Sequence, residues 1–142
     1  MEYWINRDYF LIRQVVLDTN FLLLPFELNI DILQEFERII EINYEPIILR
    51  EVLKELDKLK ERNTGKILRN IKSALEFCKK FKILEFKPIE NEKIDDLIIR
   101  YAINNPSIVA TNDKLLKMKL RDKNIPVIFT RKKKYLKLEG TL

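Results

Sequence analysis

The chain predicts an α/β domain built on a mainly parallel sheet covered on both faces, and two patterns carry that prediction. Short apolar, β-branched runs alternate with longer stretches that repeat at helical spacing. Strands that alternate with helices need crossover connections, which give parallel pairing with helices on both faces. The second pattern is size: 142 residues, 46% of them hydrophobic, suffice for one substantial core. No internal repeat, low-complexity segment or linker divides them, so residues 1–142 are expected to form a single domain.

Val15–Leu17 opens the series as a strand, followed by helical periodicity from Ile30 to Ile42. Ile47–Leu49 is the next strand and runs into a helix from Arg50 to Glu61, with Val52, Leu56 and Leu59 on one stripe. Asn63-Thr64-Gly65 breaks that helix, and Thr64 is placed to cap the next, whose apolar positions are Ile67, Leu68, Ile71, Leu75, Cys78 and Phe81. Ile83-Leu84 is a weak strand before the loop at Pro88. A helix from Glu92 to Asn104, the strand Ile108–Ala110, a helix from Lys114 to Asp122 and the strand Val127–Phe129 complete the pattern.

Composition removes several chemistries. With no histidine and one cysteine, Cys78, the chain has no Ser-His-Asp or Cys-His catalysis, no His- or thiolate-based zinc site and no internal disulfide. With Gly65 and Gly140 the only glycines, there is no Gly-rich phosphate loop. The apolar stretch Phe21–Phe26 contains Pro25 and is far too short to span a bilayer. Glu2, Asn6, Arg7 and Asp8 interrupt any signal-peptide core. A cytoplasmic protein without a membrane partner is expected. The net charge of +5 is uneven: residues 111–142 carry ten basic and three acidic residues, whereas residues 1–110 carry seventeen and nineteen. A basic final quarter suits either a phosphate backbone or a solvated lysine face.

Four separated acids are the candidate chemistry. Asp18 follows the first strand, with Thr19 and Asn20 beside it to orient its oxygens. Asp113 follows the strand Ile108–Ala110 across Thr111-Asn112. Glu55 falls at the border of its helix's apolar stripe, while Asp57 points to the opposite side. Asp95 lies at the edge of the inner face formed by Leu97, Ile98, Tyr101 and Ala102, whereas Asp96 points away from it. Each acid alone could be a cap, a turn residue or a solvated surface group. Together, at the carboxyl edge of a parallel sheet, they would repel one another unless a cation neutralised them, and Mg²⁺ or Mn²⁺ suits such oxygen ligands.

The runs that hold these acids resemble the motifs of the PIN-domain nucleases. Val15-Val16-Leu17-Asp18-Thr19-Asn20-Phe21-Leu22-Leu23 resembles the family's opening strand, and Val52–Leu56 its helix with a glutamate. Asp95 through Ala102 is similar to the segment with the third acid, and Ile108–Asp113 to the strand ending in Thr-x-Asp. The form is closest to archaeal-type PIN proteins; Asn124 stands where the last loop commonly has glycine. The resemblance implies a three-layer α/β/α sandwich with a mainly parallel sheet of four or five strands. It also implies an Mg²⁺- or Mn²⁺-dependent endoribonuclease. Asp18, Asp95 and Asp113 would hold the metal and Glu55 would complete the cluster, with Asn20, Thr111 and Asp96 around them. Lys114, Lys117, Arg131, Lys132, Lys133 and Lys134 would hold single-stranded or loop RNA.

Ribosomal RNA maturation is the foremost role on this reading. The alternatives are a VapC-type toxin of a toxin–antitoxin pair and a non-catalytic PIN-fold scaffold that binds RNA or protein. A homodimer, a small antitoxin and a ribosome-assembly partner are the corresponding protein partners. A phosphoacceptor domain, the other doubly wound fold with clustered Asp, would need an acid pair after the first strand. Asp18 stands alone there.

Overall fold

The computed structural model describes residues 12–142, so Glu2, Asn6, Arg7 and Asp8 lie outside it. Strand β1 (Arg13–Leu17) leads through a 3-10 turn (Asn20–Leu23) into α1 (Leu24–Glu27), α2 (Ile32–Ile39) and β2 (Tyr44–Leu49). Helices α3 (Arg50–Arg62) and α4 (Gly65–Cys78) precede β3 (Lys82–Leu84) and α5 (Ile94–Asn104). The chain ends with β4 (Ser107–Ala110), α6 (Lys114–Asp122), β5 (Val127–Arg131) and β6 (Tyr135–Glu139). The periodicity missed the 3-10 turn and α1, each only four residues long, with Pro25 near the start of α1. It also overran α2 at both ends.

The sheet order is β3-β2-β1-β4-β5-β6, parallel throughout except for the antiparallel pair β5·β6. Six strands form where four or five were expected, and β6 is the addition. Val15, Val16 and Leu17 are all fully buried, as are Ile47, Ile48 and Leu49. Consecutive strand residues point to opposite faces, so runs like these require helices on both sides. The result is a three-layer α/β/α sandwich. Phe21 and Phe36, both fully buried, stack with ring centroids 6.2 Å apart and anchor the segment after β1 to α2.

Backbone chemistry explains three local features. Thr64 occupies the N-cap of α4, as expected, but its side chain makes no capping bond there. Asn124 has φ 60°, and beside it Ile125 N–H donates to the Leu120 carbonyl and Asn124 N–H to that of Arg121. That is a Schellman ending, whose left-handed residue is usually glycine and sometimes asparagine. The β5–β6 turn places Lys132 and Lys133 both at φ 54°, closed by Lys134 N–H donating to the Arg131 carbonyl.

At the outer edge of β6, Leu136 N–H donates to Glu35 Oε1 and its carbonyl accepts from Arg38 Nη2, both at 2.8 Å. Helix α2 therefore clamps the strand with an ion pair whose Arg38 Nε lies 2.9 Å from Glu35 Oε2.

Candidate active site

The strand order reverses direction between β1 and β4, because the chain leaves β1 towards β2 and leaves β4 towards β5. Open α/β sheets form their ligand crevice at such a point, outside the carboxyl ends of the strands. Asp18 and Asp113 follow those two strands. Asp18 N–H donates to the Ala110 carbonyl at 3.0 Å, extending the β1·β4 pairing and fixing the backbone of the acid.

Asp18 is 5% exposed and both its oxygens are held. Thr19 N–H donates to Oδ1 at 2.8 Å and the Thr111 hydroxyl donates to Oδ2 at 2.7 Å. Burial pushes the Asp18 pKa up to about 6 from an ordinary 3.8; the Thr111 and Thr19 bonds oppose the rise, while the charges of Asp95 and Glu55 add to it. Thr111 is fully buried and also accepts from Asp113 N–H at 3.1 Å. The Thr19 hydroxyl reaches in the other direction and donates to Glu55 Oε1 at 2.5 Å. Two threonines thus join Glu55, Asp18 and the Asp113 backbone in one hydrogen-bonded chain.

Asp113 serves a second purpose, since its Oδ1 accepts from Leu116 N–H at 3.0 Å and caps α6. Asn112 braces the same loop by accepting from Thr130 N–H at 2.9 Å. Asp95, half-buried in the first turn of α5, has its pKa raised by burial and then by the charges of Asp113 and Glu55, partly offset by Lys119. All four acids line one cleft of about 540 Å³, together with Thr19 and the exposed Asn20. Asp96 is exposed and lines a separate groove with Arg100 and Lys119, so helical phase separates the two neighbouring acids, and Asp96 does not stand around the cluster where the resemblance had placed it. Among the described residues, no three His, Cys, Asp or Glu side chains stand close enough to enclose one ion. The four carboxylates face a shared space and repel one another across it.

None of the expected basic residues lines this cleft. Lys114 is exposed at the start of α6, and Lys117 is half-buried with Nζ 3.7 Å from the Phe129 ring centroid. Arg131, Lys132, Lys133 and Lys134 are exposed in the β5–β6 turn, on the carboxyl edge shared with the acids. The cleft itself holds cations that the sequence reading missed: Lys54, Lys58 and Arg62 of α3. Glu51, Glu55, Lys58 and Arg62 are spaced by four, three and four residues, and that single helical stripe was the available signal. A larger groove, about 640 Å³, lies between α3, α4 and β3, but its two carboxylates, Asp57 and Glu76, pair with Lys60 and Lys79.

A three-layer fold with carboxylates gathered at its topological switch point defines a class of acid-site α/β domain. The family is shown by comparison: a model described as PIN like domain matches residues 15–133, and the chain belongs to that family. It is 38% identical over 130 residues to Ribonuclease VapC4 of Methanocaldococcus jannaschii, covering 89% of this chain and 97% of that protein. The solved structure of the PIN domain endonuclease Utp24 superposes with a TM-score of 0.74 at 26% identity, covering 91% of this chain and 92% of that one.

Proposed function

We propose that the chain is a metal-dependent endoribonuclease of the PIN type. The observation that carries this reading is Asp18, buried at a strand end with both oxygens held and with Glu55, Asp95 and Asp113 around the same cleft. The donor chemistry suits a hard divalent cation, because every side chain in the set offers carboxylate oxygen and positive charge relieves their mutual repulsion; the carboxylates stand too far apart to enclose an ion as they are and would have to close on it. Asp18, Asp95 and Asp113 would hold Mg²⁺ or Mn²⁺, with Glu55 reaching it directly or through water. When bound, the ion would neutralise the scissile phosphate and lower the pKa of a water.

The chain's own residues supply the arrangement. Thr111 and Thr19 fix the Asp18 oxygens, and the Thr19 hydroxyl aims the Glu55 carboxylate. With no histidine in the chain, a carboxylate of this cluster is the group at hand to take a proton from the attacking water.

The high coverage and 38% identity to a protein named Ribonuclease VapC4 favour the toxin-type ribonuclease over ribosomal RNA maturation. That reading carries a small antitoxin protein as partner, and growth arrest on expression of the chain alone would support it. Cleavage of single-stranded or loop RNA should require Mg²⁺ or Mn²⁺ and stop with EDTA. Full cleavage in chelator would overturn the metal-dependent reading. RNA binding without cleavage under any divalent ion would leave the scaffold alternative standing.

A further inference from the structure

We infer that Lys58 and Arg62 form a phosphate-binding rail that holds single-stranded RNA on the Glu55 side of the acid cleft. The inference rests on the endoribonuclease reading and deepens it by giving the substrate a path. Helix α3 carries five basic residues, and three are occupied: Arg50 with Glu85 at 2.8 Å, Lys54 with Glu51 at 3.1 Å and Lys60 with Asp57 at 3.4 Å. Among the described residues, the side chains of Lys58 and Arg62 take part in no ion pair or hydrogen bond, and both residues line the acid cleft. Glu55, three residues before Lys58, is instead engaged by Thr19.

Geometry gives the two cations a defined reach. Helix α3 begins at the residue after β2 and packs chiefly on α4, so it stands as a wall at the carboxyl edge. Along it, Lys58 and Arg62 lie roughly 4.5 and 10.5 Å beyond Glu55, at about 1.5 Å per residue. A phosphate held at the acids would therefore have its next two neighbours within reach of these side chains. Lys114 and the Arg131–Lys134 turn lie on the opposite flank, beyond β4. The backbone would cross the β1–β4 crevice from α3 towards the β5–β6 turn. Attraction is needed on both flanks, because the acids themselves repel a polyanion.

The test compares the whole chain with Lys58→Ala/Arg62→Ala, with Lys58→Arg, and with Lys60→Ala as a control whose cation is already paired. Cleavage and filter binding of a long unstructured RNA are followed at several salt concentrations, with circular dichroism to confirm folding. The double variant should raise KM roughly tenfold and lower the slope of log affinity against log salt by roughly 1.4, at about 0.7 for each phosphate released. Its kcat should stay near wild type, and Lys58→Arg and Lys60→Ala should follow wild type throughout. An unchanged KM and slope in an active double variant, or a loss confined to kcat, overturns the rail. A wild-type chain that neither binds nor cleaves RNA overturns the endoribonuclease reading itself, a result readily told apart from an unchanged slope.

Discussion

Asp18 and Asp113 leave adjacent parallel strands at the same edge, yet the fold treats them oppositely. Asp18 is buried, held on both oxygens by threonines and their backbone, and pushed towards protonation by lost hydration. Asp113 is half-exposed and caps α6, so its carboxylate supports the local structure that carries it. Two acids with one proposed task can therefore have opposite relations to stability. The electrostatic cost of assembling the site falls on Asp18 after β1 and on Asp95 in α5, whereas the end of β4 is built from ordinary helix chemistry.

The largest expected effect tests whether the two are equal in function. Asp18→Asn and Asp113→Asn should each lower RNA cleavage by about 10²–10³-fold, the loss typical of one preorganised electrostatic group. Near-normal cleavage by Asp113→Asn would make that residue only a cap and break the pairing. Asp95→Asn should fall as far, whereas Asp96→Asn should stay within a few-fold of wild type; equal losses would place the helix one residue out of phase.

Stability should separate what activity joins. Asp18 in the folded chain has its pKa raised to about 6 from 3.8, so the native state binds that proton more tightly than the unfolded chain does. The stabilising contribution is complete below 3.8 and disappears as pH rises through about 6, leaving the ionised form a burden of up to about 3 kcal/mol at pH 8. Asp18→Asn should thus stabilise at pH 8, by no more than about 3 kcal/mol, and by much less at pH 3. Asp113→Asn should be near neutral and Asp113→Ala should lose about 1 kcal/mol, because asparagine caps a helix and alanine does not. Urea unfolding at the two pH values checks both, and a shift of the same sign for Asp18→Asn and Asp113→Ala at pH 8 would erase the contrast.

The threonines sharpen it further. Thr111→Val removes a donor from Asp18 and should cut activity by about 10–100-fold, with the pH–rate profile moving to higher pH. Thr19→Ser should keep the Glu55 hydrogen bond and most of the rate, while Thr19→Val should not. The smallest effect belongs to the rim of the β4 side. Replacing Arg131, Lys132, Lys133 and Lys134 with Ala should lower the salt slope of RNA binding by roughly 0.7 for each phosphate no longer held, with little change in kcat. An unaltered slope would make that turn a solvated lysine face.

The central strands were legible because Val15–Leu17, Ile47–Leu49, Ile108–Ala110 and Val127–Phe129 are apolar runs that only a doubly covered sheet explains. Helical phase sufficed to separate Asp95 from Asp96. Strand β6 was not legible because its turn lacks the Asn-Gly signal: Lys132 and Lys133 adopt the left-handed conformation themselves. The alternation of Leu136 and Leu138 with Lys137 and Glu139 was there to be read, but the segment was read only for its charge, as part of a basic final quarter. Lys58 and Arg62 were hidden by summing charge over residues 1–110, where a stripe on one helix averages away. The Thr19–Glu55 bond joins residues 36 apart in sequence, and no local pattern announces such a pairing.

The clamp of Glu35 and Arg38 on Leu136 bears on assembly. An outer strand with free backbone groups is a template for another chain to extend the sheet, whether a partner peptide or a second copy. Here Leu136, near the middle of β6, has both groups occupied by α2 side chains. The opposite border, β3, is three residues long and offers little length for pairing. Growth of the sheet by strand addition is disfavoured at both ends, so a protein partner is directed to helices and loops. Releasing the clamp with Glu35→Ala/Arg38→Ala would expose β6 to edge-to-edge aggregation.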